Sequence, residues 1–386
     1  MKKRRTGEFL VVSSAGEVVR AFVPNRLPPV PPLVISSALR NLLDEAHLEL
    51  GRLDGMSAVL PDTSLFLYMY IRKEAVLSSQ IEGTQSSLSD LLLFEMDLVP
   101  GIPVDDVREV SCYVDAMEHG LKRLRSGFPL CHRLICEIHE KLLAKGRGAD
   151  KKPGEIRTSQ NWIGGTRPGN ARFVPPPPAR LGDCLSDLEK FLNDKPRRTP
   201  TLLKAAFSHC QFESIHPFLD GNGRLGRLLI TLLLCHEKVL REPLLYVSLY
   251  FKQHRQTYYE LLQRVREEGD WEVWVEFFVT AIRDTARQAV ETARVLSEMI
   301  RTDGQVVQSL GRISKSAGRV FDLFTKRPIL TLPAIGKHTG LVPNTVGSVV
   351  RALESAGLVR EITGGKRNRI FCYDRYLRQL SEGTEL

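Results

Sequence analysis

The residues best suited to chemistry crowd into His216-Pro217-Phe218-Leu219-Asp220-Gly221-Asn222-Gly223-Arg224-Leu225-Gly226-Arg227. Imidazole takes up a proton near neutral pH without being perturbed, so His216 is the candidate general base. Asp220 is a carboxylate of the kind that holds Mg²⁺ beside phosphates. Arg224 and Arg227 fall on neighbouring positions of one helical turn and can grip phosphate oxygens through forked, charge-assisted hydrogen bonds. Gly221 and Gly223 remove side chains where a ligand must approach the backbone. Free amides at a helix N-terminus beside two arginines make an anion site, and the expected occupant is a nucleotide di- or triphosphate.

These residues need rigid elements behind them. The run Leu228-Leu229-Ile230-Thr231-Leu232-Leu233-Leu234-Cys235 has no charge until Glu237 and reads as a helix buried all round. Another helix, from Pro200 to His216, leads into the site. Upstream, a helix from about Thr63 to Glu82 closes with Ser78-Ser79-Gln80-Ile81-Glu82-Gly83; Ser78 and Glu82 share a face, and Gly83 is a terminator. Further helices are expected from Ser36, from Ser87 with a capping-box-like Asp90, and over Val107–Leu124, Leu130–Leu143, Leu181–Leu192 and Trp271 to about Ile300. Residues 154–175 break the helical pattern, and their Gly164-Gly165 and Pro168-Gly169-Asn170 runs suggest a hairpin with a broad tip. Residues 6–34 read as irregular or short-stranded, with two apolar runs flanking a Gly16 turn, followed by a proline-rich connector.

At 386 residues with 42% hydrophobic content the chain can fold into two or three domains with ordinary cores. No run reaches the length of a membrane span, and the basic start is not followed by a long apolar stretch, so a soluble cytoplasmic protein with no membrane partner is expected. The 7 scattered cysteines fit a reducing compartment. The formal charge of +9 is uneven, because residues 311–386 carry 13 of the Lys and Arg but only 6 of the Asp and Glu. That segment reads as helices over Gly318–Phe324, Pro333–Thr339 and Pro343–Ala356, then two short strands around Gly364-Gly365-Lys366-Arg367. This is the pattern of a winged helix, in which Arg351, Lys366, Arg367 and Arg369 could meet phosphates of DNA or the module could bind a protein.

The central stretch resembles the Fic family signature His-x-Phe-x-(Asp/Glu)-Gly-Asn-Gly-Arg-x-x-Arg at every fixed position: His216, Phe218, Asp220, Gly221, Asn222, Gly223, Arg224 and Arg227. Eight fixed residues discriminate far better than a lone glycine fingerprint. The resemblance implies a mainly α protein: a Fic-type helical bundle with a short β-hairpin flap, followed here by the winged-helix domain. It implies a protein adenylyltransferase that moves AMP from ATP, with Mg²⁺, onto a Ser, Thr or Tyr hydroxyl of a target protein, and self-modification and a homodimer are compatible with it. His216 would be catalytic, Asp220 the metal ligand, and Pro217 to Arg224 with Arg227 the nucleotide site. Ser78, Glu82 and Gly83 match the family's inhibitory-helix pattern, so Glu82 would pair with Arg227 where the γ-phosphate belongs. Trp162, Ile163 and Gly164 would form the tip of a flap that aligns the target. Gln253, Tyr258 and Tyr259 resemble the adenine border, with aromatic core packing as the other reading of the tyrosines. The expected domains are an N-terminal region at 1–100 with the inhibitory helix, a catalytic domain at 101–300 and a winged helix at 311–386. Two alternatives stay open: a Fic enzyme that removes AMP or transfers another phosphoryl group, and a DNA-binding regulator whose Fic domain senses nucleotide.

Overall fold

In the computed structural model, residues 4–59, 63–95, 103–365 and 368–385 are described. The chain opens with two antiparallel strands, β1 (Gly7–Ser14) and β2 (Glu17–Pro24), in a register running from Gly7↔Pro24 to Ser14↔Glu17. Helices follow: α1 (Ser37–Val59), α2 (Thr63–Ile81), α3 (Leu88–Phe94), α4 (Val104–Arg125) and α5 (His132–Leu142). The capping box expected at α3 is present, with Ser87 and Asp90 satisfying each other's backbone amides. After the irregular segment come α6 (Pro178–Leu192), α7 (Thr201–Ile215), α8 (Asn222–His236), α9 (Ser248–Gln253), α10 (Arg255–Glu268) and α11 (Trp271–Gln308).

The apolar run behind the signature forms α8, whose Leu225, Leu228, Leu232 and Leu234 are wholly enclosed. Apolar area removed from water contributes about 25 cal/mol per Å², which makes this helix the anchor of the fold. It lies against α7, α4, α5 and α2, and α7 in turn meets α6, α10 and α11. Long α11 runs beside α1 and ties the N-terminal helices to the rest of the bundle. Inside, Trp274 of α11 donates through its indole N–H to the Ala206 carbonyl at 2.9 Å. That bond satisfies the one polar atom of a fully buried ring.

Helix α11 extends past residue 300 to Gln308, and its last turns belong to the C-terminal segment: buried Asp303 accepts from the Tyr373 hydroxyl and from Arg375. That segment contains α12 (Ser314–Lys326), β3 (Ile329–Thr331), α13 (Leu332–Thr339), α14 (Pro343–Ser355), β4 (Arg360–Glu361), β5 (Ile370–Cys372) and α15 (Asp374–Ser381). Its sheet has the order β3-β5-β4 and is antiparallel throughout. The three expected helices are found, but β3 and α15 are additions to the sequence reading. A three-residue strand has no usable periodicity and is created by its pairing with β5, from Ile329↔Cys372 to Thr331↔Ile370. Lys366 and Arg367 lie outside the described residues.

Candidate active site

Helix α7 stops at Ile215, and His216 takes a left-handed conformation (φ 48°, ψ 60°) while its amide closes the helix on the Phe212 carbonyl at 2.9 Å. The backbone then folds back through Phe218, whose ring is buried and stacked on His139 of α5 at 3.8 Å. Asn222 staples this loop by bonding the Phe218 amide and carbonyl, both at 2.9 Å. Gly221 sits at φ 76°, which a residue with a Cβ would resist, and opens α8. The His139 Nδ1 accepts from the Gly154 amide at 2.8 Å, so its Nε2 carries the proton and donates to the Asp220 carbonyl at 3.0 Å. Burial pushes the His139 pKa down to about 4, which keeps the ring neutral in this role.

At the opening of α8 the two arginines have different partners. Arg227 is fully enclosed; its Nε donates to the Ser78 hydroxyl at 2.9 Å and its Nη2 to the Ser78 carbonyl at 2.9 Å and Glu82 Oε1 at 2.6 Å. The motif at the end of α2 therefore meets the motif at the start of α8. The Glu82 carboxylate lies so close to Gly223 that a Cβ there would collide with it. An acidic group thus fills the helix N-terminus where anions are favoured. Burial would raise the Glu82 pKa, but Arg227, by charge and hydrogen bond, with Arg224 beside it, outweighs that and holds it below the usual carboxylate value.

Arg224 is equally buried, and its Nη1 lies 2.8 Å from Glu109 Oε1 of α4, out of line for a good hydrogen bond. Glu109 also accepts from the Thr84 hydroxyl at 3.1 Å and from Arg147 at 3.3 Å. Asp220 is part-exposed; one of its oxygens accepts from the Gly221 amide at 2.6 Å and stands 3.7 Å from Arg224 Nη2. The buried arginine donors here without a hydrogen bond among the described residues are Arg224 Nε, Arg224 Nη1 and Arg227 Nη1. Buried polar atoms are normally satisfied, and arginine N–H groups left unbonded at a helix N-terminus suit the oxygens of an anion. Burial, then Arg266 and Arg157, push the His216 pKa down to about 3, leaving a neutral imidazole able to accept a proton.

The segment expected to form the flap is built differently at its end. One pair of residues, Ile163 and Phe173, exchanges both backbone hydrogen bonds, at 2.8 and 3.1 Å. Beyond it Gly164 and Gly165 lead to a turn at Pro168–Asn170, where the Asn170 side chain accepts from the Thr166 and Arg167 amides, both at 3.0 Å. Trp162 and Ile163 therefore belong to the base of the flap, and only Gly164 begins its tip. Trp162 packs with Val19, Ala21 and Val174, so the β1–β2 hairpin backs the flap. The Phe22 amide donates to the Val174 carbonyl at 2.8 Å and completes that attachment.

Tyr258 requires a correction. It is fully buried, and its hydroxyl lies 2.8 Å from His209 Nε2, while His209 Nδ1 lies 3.0 Å from the Gly226 carbonyl. The carbonyl requires a proton on Nδ1, so Nε2 accepts from Tyr258, and burial, pushing the His209 pKa down to about 3, preserves that tautomer. Tyr258 is a core residue whose hydroxyl, spent on His209, braces α8. Gln253 is exposed at the end of α9, and Tyr259 is half-buried beside Tyr258. Tyr258→Phe is expected to cost about 1–3 kcal/mol of stability by orphaning His209 Nε2. Urea unfolding measures this, and ATP affinity should stay unchanged.

Other residues that shape the site had no signature of their own. Arg157 donates to the His216 carbonyl at 3.0 Å and to the Pro176 carbonyl at 2.6 Å, tying the flap to the loop after α7. Arg266 holds the Glu213 carbonyl at 3.1 Å and covers the Phe173 ring at 3.9 Å. Glu109 and His139 complete the set. Each makes contacts to residues remote in sequence, and no local spacing announces them.

The profile of the Fic/DOC family N-terminal region matches residues 40–122, and that of the Fic/DOC family matches residues 129–234. A protein adenylyltransferase Fic of Aedes aegypti is 33% identical over 242 residues, covering 60% of this chain and 45% of that protein. The Drosophila melanogaster protein of the same name is 29% identical over 253 residues, covering 63% and 48%. The chain thus spans about half the length of the curated relatives it matches. Among solved structures, a Fic family protein from Desulfovibrio desulfuricans superimposes with a TM-score of 0.58 at 22% identity, over 89% of this chain and 97% of that one. A Fic domain containing signaling protein from Bacteroides thetaiotaomicron gives 0.52 at 18% identity, over 66% and 97%. At these identities the structural matches speak for the fold.

Proposed function

Because this chain belongs to the Fic/DOC family, we propose that it is a protein adenylyltransferase that moves AMP from ATP to a Ser, Thr or Tyr hydroxyl of target proteins, itself included, and that Glu82 restrains it. The observation that carries this reading is the placement of His216 at the end of α7 and of buried Arg224 and Arg227 at the opening of α8, with Glu82 on Arg227 at 2.6 Å. The name shared by the curated relatives supports the same chemistry.

In the proposed reaction the target hydroxyl oxygen bonds to the α-phosphorus, the bond from that phosphorus to the bridging oxygen breaks, and pyrophosphate leaves. His216 takes the hydroxyl proton. Its low pKa in the free chain rises once phosphate charge lies beside it, because nearby anions favour imidazolium. The first-turn amides of α8 and Arg224 hold the phosphates, and Arg227 takes the γ-phosphate after Glu82 has left it. Asp220 suits Mg²⁺, which is usually held by one or two carboxylates together with the substrate's phosphates. A bound Mg²⁺ would neutralise charge on the leaving pyrophosphate. The flap offers the free edge of a single β-bridge to an extended stretch of target, which suits recognition through the main chain. Positioning and charge neutralisation supply most of the acceleration in phosphoryl-type transfer, and this chain provides both.

Incubation with α-labelled ATP, Mg²⁺ and a total protein extract tests the reading. Label on protein that needs His216 supports it, and ATP consumption without label on protein counts against it.

A second reading concerns residues 311–385. The order α12-β3-α13-α14-β4-β5 with strand order β3-β5-β4 supports a winged helix. Asn344, Ser348 and Arg351 share the exposed face of α14, as a recognition helix for duplex DNA requires. Binding of a duplex by the full chain that weakens steeply with salt would uphold this, and salt-independent binding would oppose it. No helix among the described residues is long and apolar enough to cross a membrane.

A further inference from the structure

Helix α2 carries the restraint, and it is gripped from two sides. On one side Ser78 and Glu82 hold Arg227, and Glu74 accepts from the Ser248 amide at 3.1 Å and hydroxyl at 2.5 Å. On another, Gln80 reaches the segment that follows α15: its Nε2 donates to the Thr384 carbonyl at 2.8 Å and to the Ser86 carbonyl at 2.9 Å. Lys252 of α9 holds the same segment by donating to the Gly383 carbonyl at 3.3 Å and the Glu385 carbonyl at 2.5 Å. Gly383 lies at φ 82°, and a Cβ there would stand 2.5 Å from Leu249 Cδ1, so the segment is seated closely on α9. Thr384 is 1% exposed.

Charge points the same way. Lys73 of α2 is buried, lies over the Tyr246 ring at 4.5 Å, and its ammonium has no hydrogen-bond partner among the described residues. Burial pulls its pKa down to about 8, and the carboxylates that oppose this are Glu382 and Glu385. The two acidic residues thus lie where they compensate a buried cation on the inhibitory helix.

We propose that residues 382–385 are a clasp on α2 that keeps Glu82 in the nucleotide site, so that release of this segment switches transfer on. The proposal rests on the reading of Glu82 given above and names its regulation. The geometry of the α2 end explains the leverage. After Gln80 the chain turns tightly, with the Glu82 and Thr84 amides bonded to the Ser79 carbonyl and the Gly83 amide to the Gln80 carbonyl, at 3.0 to 3.2 Å. A side-chain bond from Gln80 to both Ser86 and Thr384 pins that turn at its start and its exit, and Glu82 rides on it. Through the clasp, any ligand of the C-terminal segment that draws residues 382–385 away becomes an activator.

Two substitutions test the clasp in the full chain. Gly383→Val forces the segment off Leu249 and leaves α2 untouched; Gln80→Ala removes the donor. Each is made with Glu82 present and in the Glu82→Gly background. Initial rates of labelling from α-labelled ATP are measured, along with amide hydrogen exchange at Glu82 to Thr84. With Glu82 present, each is expected to raise labelling about fivefold, the population change that one lost hydrogen bond produces. In the Glu82→Gly background neither should add anything, and exchange at Glu82 to Thr84 should quicken in both. Active Glu82→Gly protein alongside wild-type rates in Gly383→Val would overturn the clasp while leaving the role of Glu82 standing. Should Glu82→Gly itself be inactive, the role of Glu82 fails and the switch with it, whereas unchanged exchange at Glu82 to Thr84 beside an active Glu82→Gly protein would overturn the clasp alone.

Discussion

Glu82→Gly is expected to raise AMP transfer by about tenfold to a hundredfold. The range follows from the pair it breaks, since a hydrogen bond between charged partners contributes about 1.5–3 kcal/mol and ATP must displace it to reach Arg227. The lower end has weight because the Glu82 side chain is 32% exposed, so solvent screens part of the attraction. The substitution costs the fold little: Glu82 lies beyond the last residue of α2, and its contacts are with the ligand site. Arg227 keeps both of its bonds to Ser78 and stays aimed at the place proposed for the γ-phosphate. Acidification is no substitute for the mutation. The Glu82 pKa is depressed, so the pair persists as pH falls through the ordinary carboxylate range and is lost only below it. Initial rates at pH 7 and pH 5 check this: the wild type should stay restrained at both.

His216→Ala in the Glu82→Gly background is expected to lower transfer by about a hundredfold to ten-thousandfold, the range in which a positioned general base contributes. Nucleotide binding should survive, because the proposed phosphate donors lie on α8 and on the two arginines. His216 occupies a left-handed backbone conformation that alanine tolerates less well, so a loss of folding could imitate a loss of chemistry. His216→Asn supplies the control. Asparagine accepts that backbone more readily but is no base, so it should be as inactive as alanine with a melting temperature near wild type. A His216→Asn protein that retained most of the rate would remove the imidazole from the mechanism.

What could be read from the sequence was whatever depends on spacing along one element. His216 to Arg227 and Ser78 to Glu82 each lie within a few residues, and α2 and α8 bring the two sets together at 2.6 Å. Helices with long apolar stripes were legible for the same reason. Residues whose role depends on a distant partner were not. Glu109 is an ordinary acid on a helix until Arg224 packs against it, and Arg157 is an ordinary arginine until the flap folds over Pro217. Tyr258 shows the opposite error. An aromatic residue near a nucleotide motif suits either a base contact or a core, and the choice was made by His209, 49 positions earlier. The flap tip lies beyond Gly164-Gly165 because the Asn170 side chain closes a turn that those glycines alone do not specify. Residues 382–385 carry no pattern, since they are held through their main-chain carbonyls.

The measurement that bears most directly on the central claim is intact mass after incubation with ATP and Mg²⁺ of the wild type, Glu82→Gly and Glu82→Gly/His216→Ala, with labelling of a total protein extract by each run in parallel. The expected result is adenylyl groups gained, on the chain or on extract proteins, with Glu82→Gly far above wild type and none with the double variant. Equal gain with the single and double variants, or none with Glu82→Gly on any protein, would contradict a His216-dependent transfer held in check by Glu82.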